Sequence, residues 1–146
     1  MPVEPGIERD NAEQTQRLHS LVDRLSDADL AHNLGEGWTV AVALAHLAFW
    51  DLRAVHGLQR WVQDGTPISA ADDDILNRAL LDQWLALPQR RAAALAVAAA
   101  RAVDGVVKSL PDHVVTAVLG REYDWLLHRG QHRREHLEQI ERALSD

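Results

Sequence analysis

Apolar residues recur at three- and four-residue spacing through nearly the whole chain, while glycine and proline collect between the periodic segments and no run alternates convincingly with period two. Such spacing lines one side of a helix and leaves no half-buried strand, so an all-α fold is expected. A first helix should run from about Ile7 to Leu25, with Leu18, Leu21, Val22 and Leu25 inward, before Ser26-Asp27-Ala28-Asp29 interrupts it. A loop through Gly35-Glu36-Gly37 leads to a second helix. Thr39 is its expected N-cap, because a hydroxyl there can accept a bond from an unpaired first-turn amide. This helix should continue to about Gln63 and stop at Asp64-Gly65-Thr66-Pro67. The stretch from about Asp74 to Ser109 is helical in pattern but contains Pro88, which removes an amide donor and predicts two pieces meeting near Leu87. Its alanine-rich part, Arg91 to Arg101, reads as a closely packed helix. A short helical turn around Pro111 to Leu119 and a long final helix from about Arg121 to Leu144 complete the chain. Four principal helices with one broken connection predict a four-helix bundle.

The 146 residues suit a single domain, 1–146, with enough chain to bury a core. At 47% hydrophobic and 25% charged residues, the composition is that of a globular protein. A formal charge of -7 argues against nucleic-acid binding through a general positive field. The opening Met1-Pro2-Val3-Glu4-Pro5-Gly6 lacks a targeting pattern, and the apolar stretches are broken by charge short of a membrane span, so no membrane association is expected. The absence of cysteine excludes disulfides and thiolate ligands and fits a cytoplasmic protein; any metal must use nitrogen and oxygen donors.

Three histidines carry the functional signal. His132 and His136 stand one helical turn apart and can grip one divalent ion, and His46, from the apolar run Ala41 to Trp50, could complete a face of ligands. Each also has a plainer reading. His46 fits a core histidine satisfied by one hydrogen bond, and His128, His132, Arg133, Arg134 and Glu135 fit a solvated helix face. The apolar positions Leu119, Tyr123, Leu126, Leu137, Ile140 and Leu144 are interrupted by Arg129, Gly130, Arg133 and the histidines, which predicts a polar layer beside a cavity. Trp50 and Arg53, one and two turns beyond His46, are pocket candidates, and Arg129 and Arg133 could meet an anionic substrate, although arginine on a long helix is more often a surface ion-pair partner, as Arg133 or Arg134 would be to Glu138. Trp38, Trp50, Trp61, Trp84 and Trp125 are expected to pack. Asp72-Asp73-Asp74 favours the positive end of the helix that follows. His19, His32, His56 and His113 form no usable pattern.

The segment Gly37-Trp38-Thr39, followed by Leu44-Ala45-His46-Leu47-Ala48-Phe49-Trp50-Asp51, together with His132-Arg133-Arg134-Glu135-His136-Leu137-Glu138-Gln139-Ile140, resembles the DinB-like (YfiT-like) superfamily. The resemblance covers most of the chain. It implies an antiparallel four-helix bundle that binds a divalent ion, zinc or nickel, through His46, His132 and His136. His128-Arg129-Gly130-Gln131 resembles another ending found among relatives, which would make Asp124 and His128 the C-terminal pair. Three imidazoles leave a coordination position open, as a catalytic site requires. The Gly-Trp-Thr and histidine pattern is similar to the N-terminal domain of mycothiol-dependent maleylpyruvate isomerase. That likeness implies a transferase or isomerase using a low-molecular-weight thiol, mycothiol or bacillithiol, on a small-molecule substrate. The alternatives are a metal-dependent hydrolase, a non-catalytic bundle holding a metal or small ligand, and a homodimer formed through an apolar helix face.

Overall fold

A computed structural model describes residues 3–145; the readings of Met1 and Pro2, and the ends of the 1–146 domain span, lie outside them. Among the described residues the fold is all-α apart from one small hairpin. Helix α1 (Pro5–Arg24) opens on a proline in its first turn, where the missing amide costs nothing. The next segment, expected only to interrupt the helix, forms a four-residue helix of its own, α2 (Asp27–Leu30). Ser26 and Asp29 make a reciprocal capping box there, each side chain accepting from the other's amide at 3.0 Å. The expected loop is an antiparallel hairpin of β1 (Asn33–Gly35) and β2 (Trp38–Thr39). Its tip places Gly35, Glu36 and Gly37 at positive φ. Two strands this short leave no alternation to detect.

Helix α3 (Val40–Asp64) begins where Thr39 accepts from the Val42 amide at 3.2 Å. It ends at Gly65, whose φ of 75° suits a residue without a Cβ and lets its amide return to the Trp61 carbonyl. Asp72 caps α4 (Asp73–Ala86) by accepting from the Ile75 amide, so the acidic run serves the helix start as its position implied. Pro88 separates α4 from α5 (Gln89–Lys108), the break expected near Leu87.

The last third departs from the expected single long helix. Helix α6 (Asp112–Gly120) is followed by a 3-10 turn (Asp124–Leu126), and α7 (Arg129–Leu144) starts eight residues later than Arg121. Glu122 takes a φ of 60° and the Tyr123 amide folds back to the Val118 carbonyl, which stops α6. The start of α7 is set by Asn11, far away on α1. Its amide group donates to the Leu127 carbonyl at 2.8 Å and its oxygen accepts from the Gly130 amide at 2.7 Å. No local sequence signal announces a cap supplied 119 positions upstream.

Helix α3 packs chiefly against α5, α1 lies on α5 and α7, and α3 also meets α4 and α7. The buried Ala92, Ala93, Ala96, Ala99 and Ala100 let α5 approach α3 closely. Apolar side chains form two clusters along α3. One includes Leu18, Leu21, Leu44, Leu47, Leu137 and Ile140; the other includes Leu58, Val103, Val107, Leu126 and Leu127. Fully burying each leucine contributes about 1.5–3 kcal/mol. Leu119, one of the apolar positions expected inward, is exposed in the final turn of α6, and Val62 is exposed in the final turn of α3. Among the described residues no helix is long and apolar enough to cross a membrane.

Between the two apolar clusters lies the polar layer anticipated from α7, filled by ion pairs. Asp51 on α3 accepts from Arg129 Nε at 2.9 Å and from Arg133 Nη2 at 3.3 Å. Arg133 Nη2 also sits 2.9 Å from Asp104 Oδ1 as an ion pair without hydrogen-bond alignment, while Thr15 donates to Asp104 Oδ2 at 2.6 Å. Two carboxylates balance two guanidinium groups, as burial at this depth demands. Arg133 is fully buried, so its expected place as a surface partner of Glu138, or as a contact for an anionic substrate, is corrected.

Candidate metal centre

The apolar run that buries the first half of α3 carries His46 inward with it, while the helical turn between His132 and His136 presents both from α7 toward the same point. One nitrogen from each of the three rings lies within 4.8 Å of the other two. Ring centroids are separated by 5.0 Å for His46 and His132, 4.7 Å for His46 and His136, and 4.9 Å for His132 and His136. The Nε2 atoms of His46 and His132 stand 3.0 Å apart. Two nitrogens bound to one ion at about 2.05 Å would lie about 2.9 Å apart at a right angle and about 3.3 Å apart at the tetrahedral angle. This pair is already spaced for ligation.

The surroundings select which nitrogen faces the common point. Asn77 on α4 offers its side-chain oxygen to Trp50 Nε1 at 2.9 Å and to His46 Nδ1 at 3.2 Å. An oxygen can only accept, so Nδ1 of His46 carries the proton and Nε2 presents a lone pair. Gln139 Oε1 does the same for His136 Nδ1 at 3.0 Å. These outer hydrogen bonds fix ring orientation as they do around bound metals.

Burial pushes the His46 imidazole down to about 3, and the neighbouring His136 and Arg129 push the same way against the Asn77 bond. Burial likewise pushes His132 down to about 2, with His136, Arg129 and His46 adding to it. His136 is lowered mainly by burial. Three neutral nitrogen donors at neutral pH fit a borderline ion such as zinc or nickel. The three-residue cluster itself holds no carboxylate. Indoles exclude water around the rings. Trp38 stacks on His136 with a centroid distance of 6.4 Å, and the edges of Trp38 and Trp84 meet His46 at 4.9 and 5.5 Å.

One side of the cluster is open. His46 and His132 line the end of a cavity of about 520 Å3 whose walls include Trp50, Arg53, Trp125 and Arg129, while His136 stands behind them. Arg129 faces this cavity, but it is buried and paired with Asp51, not on the surface as a long-helix arginine was expected to be. Trp125, expected to pack, is 40% exposed on the cavity wall.

The other C-terminal pair is not assembled. Asp124 is exposed in the 3-10 turn, and His128 bonds through Nε2 to Asp10 at 2.7 Å, where Arg134 also pairs. Among the described residues, the histidine group within reach of one ion is His46, His132 and His136. Sequence reasoning missed Asn77, Asp51, Asn11 and Asp104. Asp51 had a usable signal, an acid on the inward side of an apolar helix; Asn77 had none, since it acts from a helix whose placement the sequence did not reveal. No family model, curated protein or solved structure matches the chain.

Proposed function

We propose that this chain is a DinB-like four-helix bundle that holds one zinc or nickel ion through His46, His132 and His136. In this reading it works in the cytoplasm as a thiol-dependent transferase or isomerase on a small-molecule substrate. The observation that carries the reading is the convergence of three neutral imidazoles from two helices at the end of an open cavity. The contacts of α1 with α5 and α7, and of α3 with the same two helices, support the bundle. A bound ion of this kind supplies a Lewis acid and lowers the pKa of a thiol or water that it holds.

The chain's own residues supply the rest. Asn77 and Gln139 hold the outer imidazole protons and so keep the inner nitrogens available. Trp38 and Trp84 keep bulk water from the rear of the cluster. Arg129, fixed by Asp51 and the Trp125 carbonyl at the cavity wall, would offer a guanidinium N–H to an ionised thiol in the cavity, and a hydrogen bond to the charged form favours it.

Metal analysis of the purified chain, followed by loading with zinc or nickel, tests the foundation. One ion per chain, a raised melting temperature and loss of both in His46→Ala are expected. Thioether formation from a low-molecular-weight thiol and an electrophilic acceptor, seen by mass spectrometry only in the loaded protein, tests the reaction. Failure of the intact protein to take up either ion overturns the reading.

A further inference from the structure

Among the described residues that line the cavity, Arg53 is a guanidinium without a carboxylate in contact. Arg129 has Asp51, but Arg53, partly buried on the same wall, donates only to the Ser69 carbonyl, a neutral acceptor. Among the described residues no carboxylate lies within ion-pair distance of it. Asp73 and Glu135 also line the cavity, and Asp73 acts on Arg53 only at longer range. Burying a guanidinium part-way without a counter-charge is costly, and a ligand that brings the charge recovers that cost.

The setting of Arg53 defines the rest of the ligand. Its guanidinium carbon lies over two indole rings, 5.4 Å from the Trp50 ring centre and 5.9 Å from that of Trp125. Stacking of this kind restrains a long side chain and leaves the guanidinium edge to pair with an anion. His46, Trp50 and Arg53 follow one another at four- and three-residue steps on α3, one face of the helix, with a rise of about 10 Å from the first to the last. An anion seated on Arg53 would have to extend along apolar indole surface to reach His46.

We propose that Arg53 is the docking point for the carboxylate of an elongated organic anion, whose apolar or aromatic body lies along Trp50 and Trp125 and whose far end reaches His46 and His132. This rests on the reading of the cavity as the substrate chamber, and it specifies the class of molecule that enters.

The test uses 4-phenylbutyrate and its neutral amide, titrated calorimetrically into the full chain with and without zinc. The metal-free arm matters because zinc itself attracts carboxylates. We expect the carboxylate to bind at least about tenfold more tightly than the amide in both arms. Arg53→Gln should abolish that preference while leaving zinc stoichiometry intact, and Arg53→Lys should restore part of it. Equal affinity for the two probes in metal-free protein, no carboxylate binding at all, or a preference unchanged in Arg53→Gln overturns the proposal. The probe comparison in the unmodified chain decides the matter even if a variant fails to fold. Zinc uptake, read in the same experiment, separates failure of this inference from failure of the metal reading.

Discussion

Replacing Asp51 with asparagine keeps the shape of the side chain and one acceptor oxygen but deletes the charge shared by two buried arginines. The exposure of the three side chains is 2% for Asp51, 0% for Arg133 and 6% for Arg129, so water cannot take over the lost role. Removing one partner of a buried pair costs about 3–5 kcal/mol, because the remaining charge is left uncompensated. Arg133 keeps Asp104 and the carbonyls of Asn11 and Ala100, whereas Arg129 keeps only the Trp125 carbonyl. The cost therefore falls mostly on Arg129, and the lower end, about 3 kcal/mol, is expected, with a fall in melting temperature of about 10 °C. Urea titrations of Asp51→Asn, Arg129→Gln and the double variant form the assay. If the stranded charge is the cause, Arg129→Gln should remove much of the penalty of Asp51→Asn, giving a coupling of about 2 kcal/mol. Additive effects in the double variant would show that Asp51 acts through packing alone and would refute the reasoning.

Asn77→Ala should leave the fold in place and weaken zinc binding by about 10- to 100-fold, since it frees the His46 ring to turn; an unchanged dissociation constant by competitive chelator titration would remove Asn77 from the site. Acidification should destabilise the metal-free protein. The folded-state pKa values of His46 and His132 lie below the unfolded value near 6.5, so the stabilising contribution is complete above about pH 6.5 and is lost as pH falls from there toward about 3 and about 2. Each such histidine steepens the loss toward about 1.4 kcal/mol per pH unit, and a melting temperature level from pH 7.5 to 5 would contradict this. Gly130→Ala should destabilise by about 1–3 kcal/mol, because its Cβ would lie 2.8 Å from Asp10 Oδ2 and 3.1 Å from the Asn11 amide nitrogen, whereas Gly105→Ala, with nothing within 4 Å, should stabilise by about 0.5–1 kcal/mol; equal melting shifts would count against both assignments.

Local physics made the helices readable where it alone decided them. Thr39 capping α3, Gly65 ending it and Pro88 dividing α4 from α5 are effects of a few neighbouring residues, and each is visible in the sequence. The start of α7 was not visible, because Asn11 supplies it across the fold and Glu122 stops α6 at a backbone angle unusual for its residue type. The histidines were legible as a constellation, since a four-residue step on a helix fixes a common direction whatever the surroundings. Their orientation was not, because Asn77 comes from α4, and only the packing of α4 on α3 brings it to the imidazole. Arg133 shows why helical projection misjudges charged residues. Periodicity assigns arginine to solvent, and the acids that overturn this, Asp51 and Asp104, sit on other helices.

The ion-pair layer has a consequence for the histidine cluster that stability alone does not explain. The first half of α7 turns Arg129, Gly130 and Arg133 inward, so it cannot be fastened to α3 by apolar burial. Asp51 fastens it instead. It lies five residues beyond His46, while Arg129 and Arg133 flank His132, so the pairing sets which turn of α7 faces which turn of α3. Apolar contacts tolerate a slip that charged partners do not, and replacing a buried charge cluster by hydrophobic residues is often neutral or stabilising by about 1–4 kcal/mol. Substituting Asp51→Leu, Arg129→Met, Arg133→Leu and Asp104→Asn together should therefore keep or raise the melting temperature of the metal-free protein, yet lower zinc affinity by at least about tenfold as the α7 imidazoles lose their register with His46. Zinc binding as tight as in the unmodified chain would mean that the apolar clusters alone align the two helices, and the layer would need another explanation.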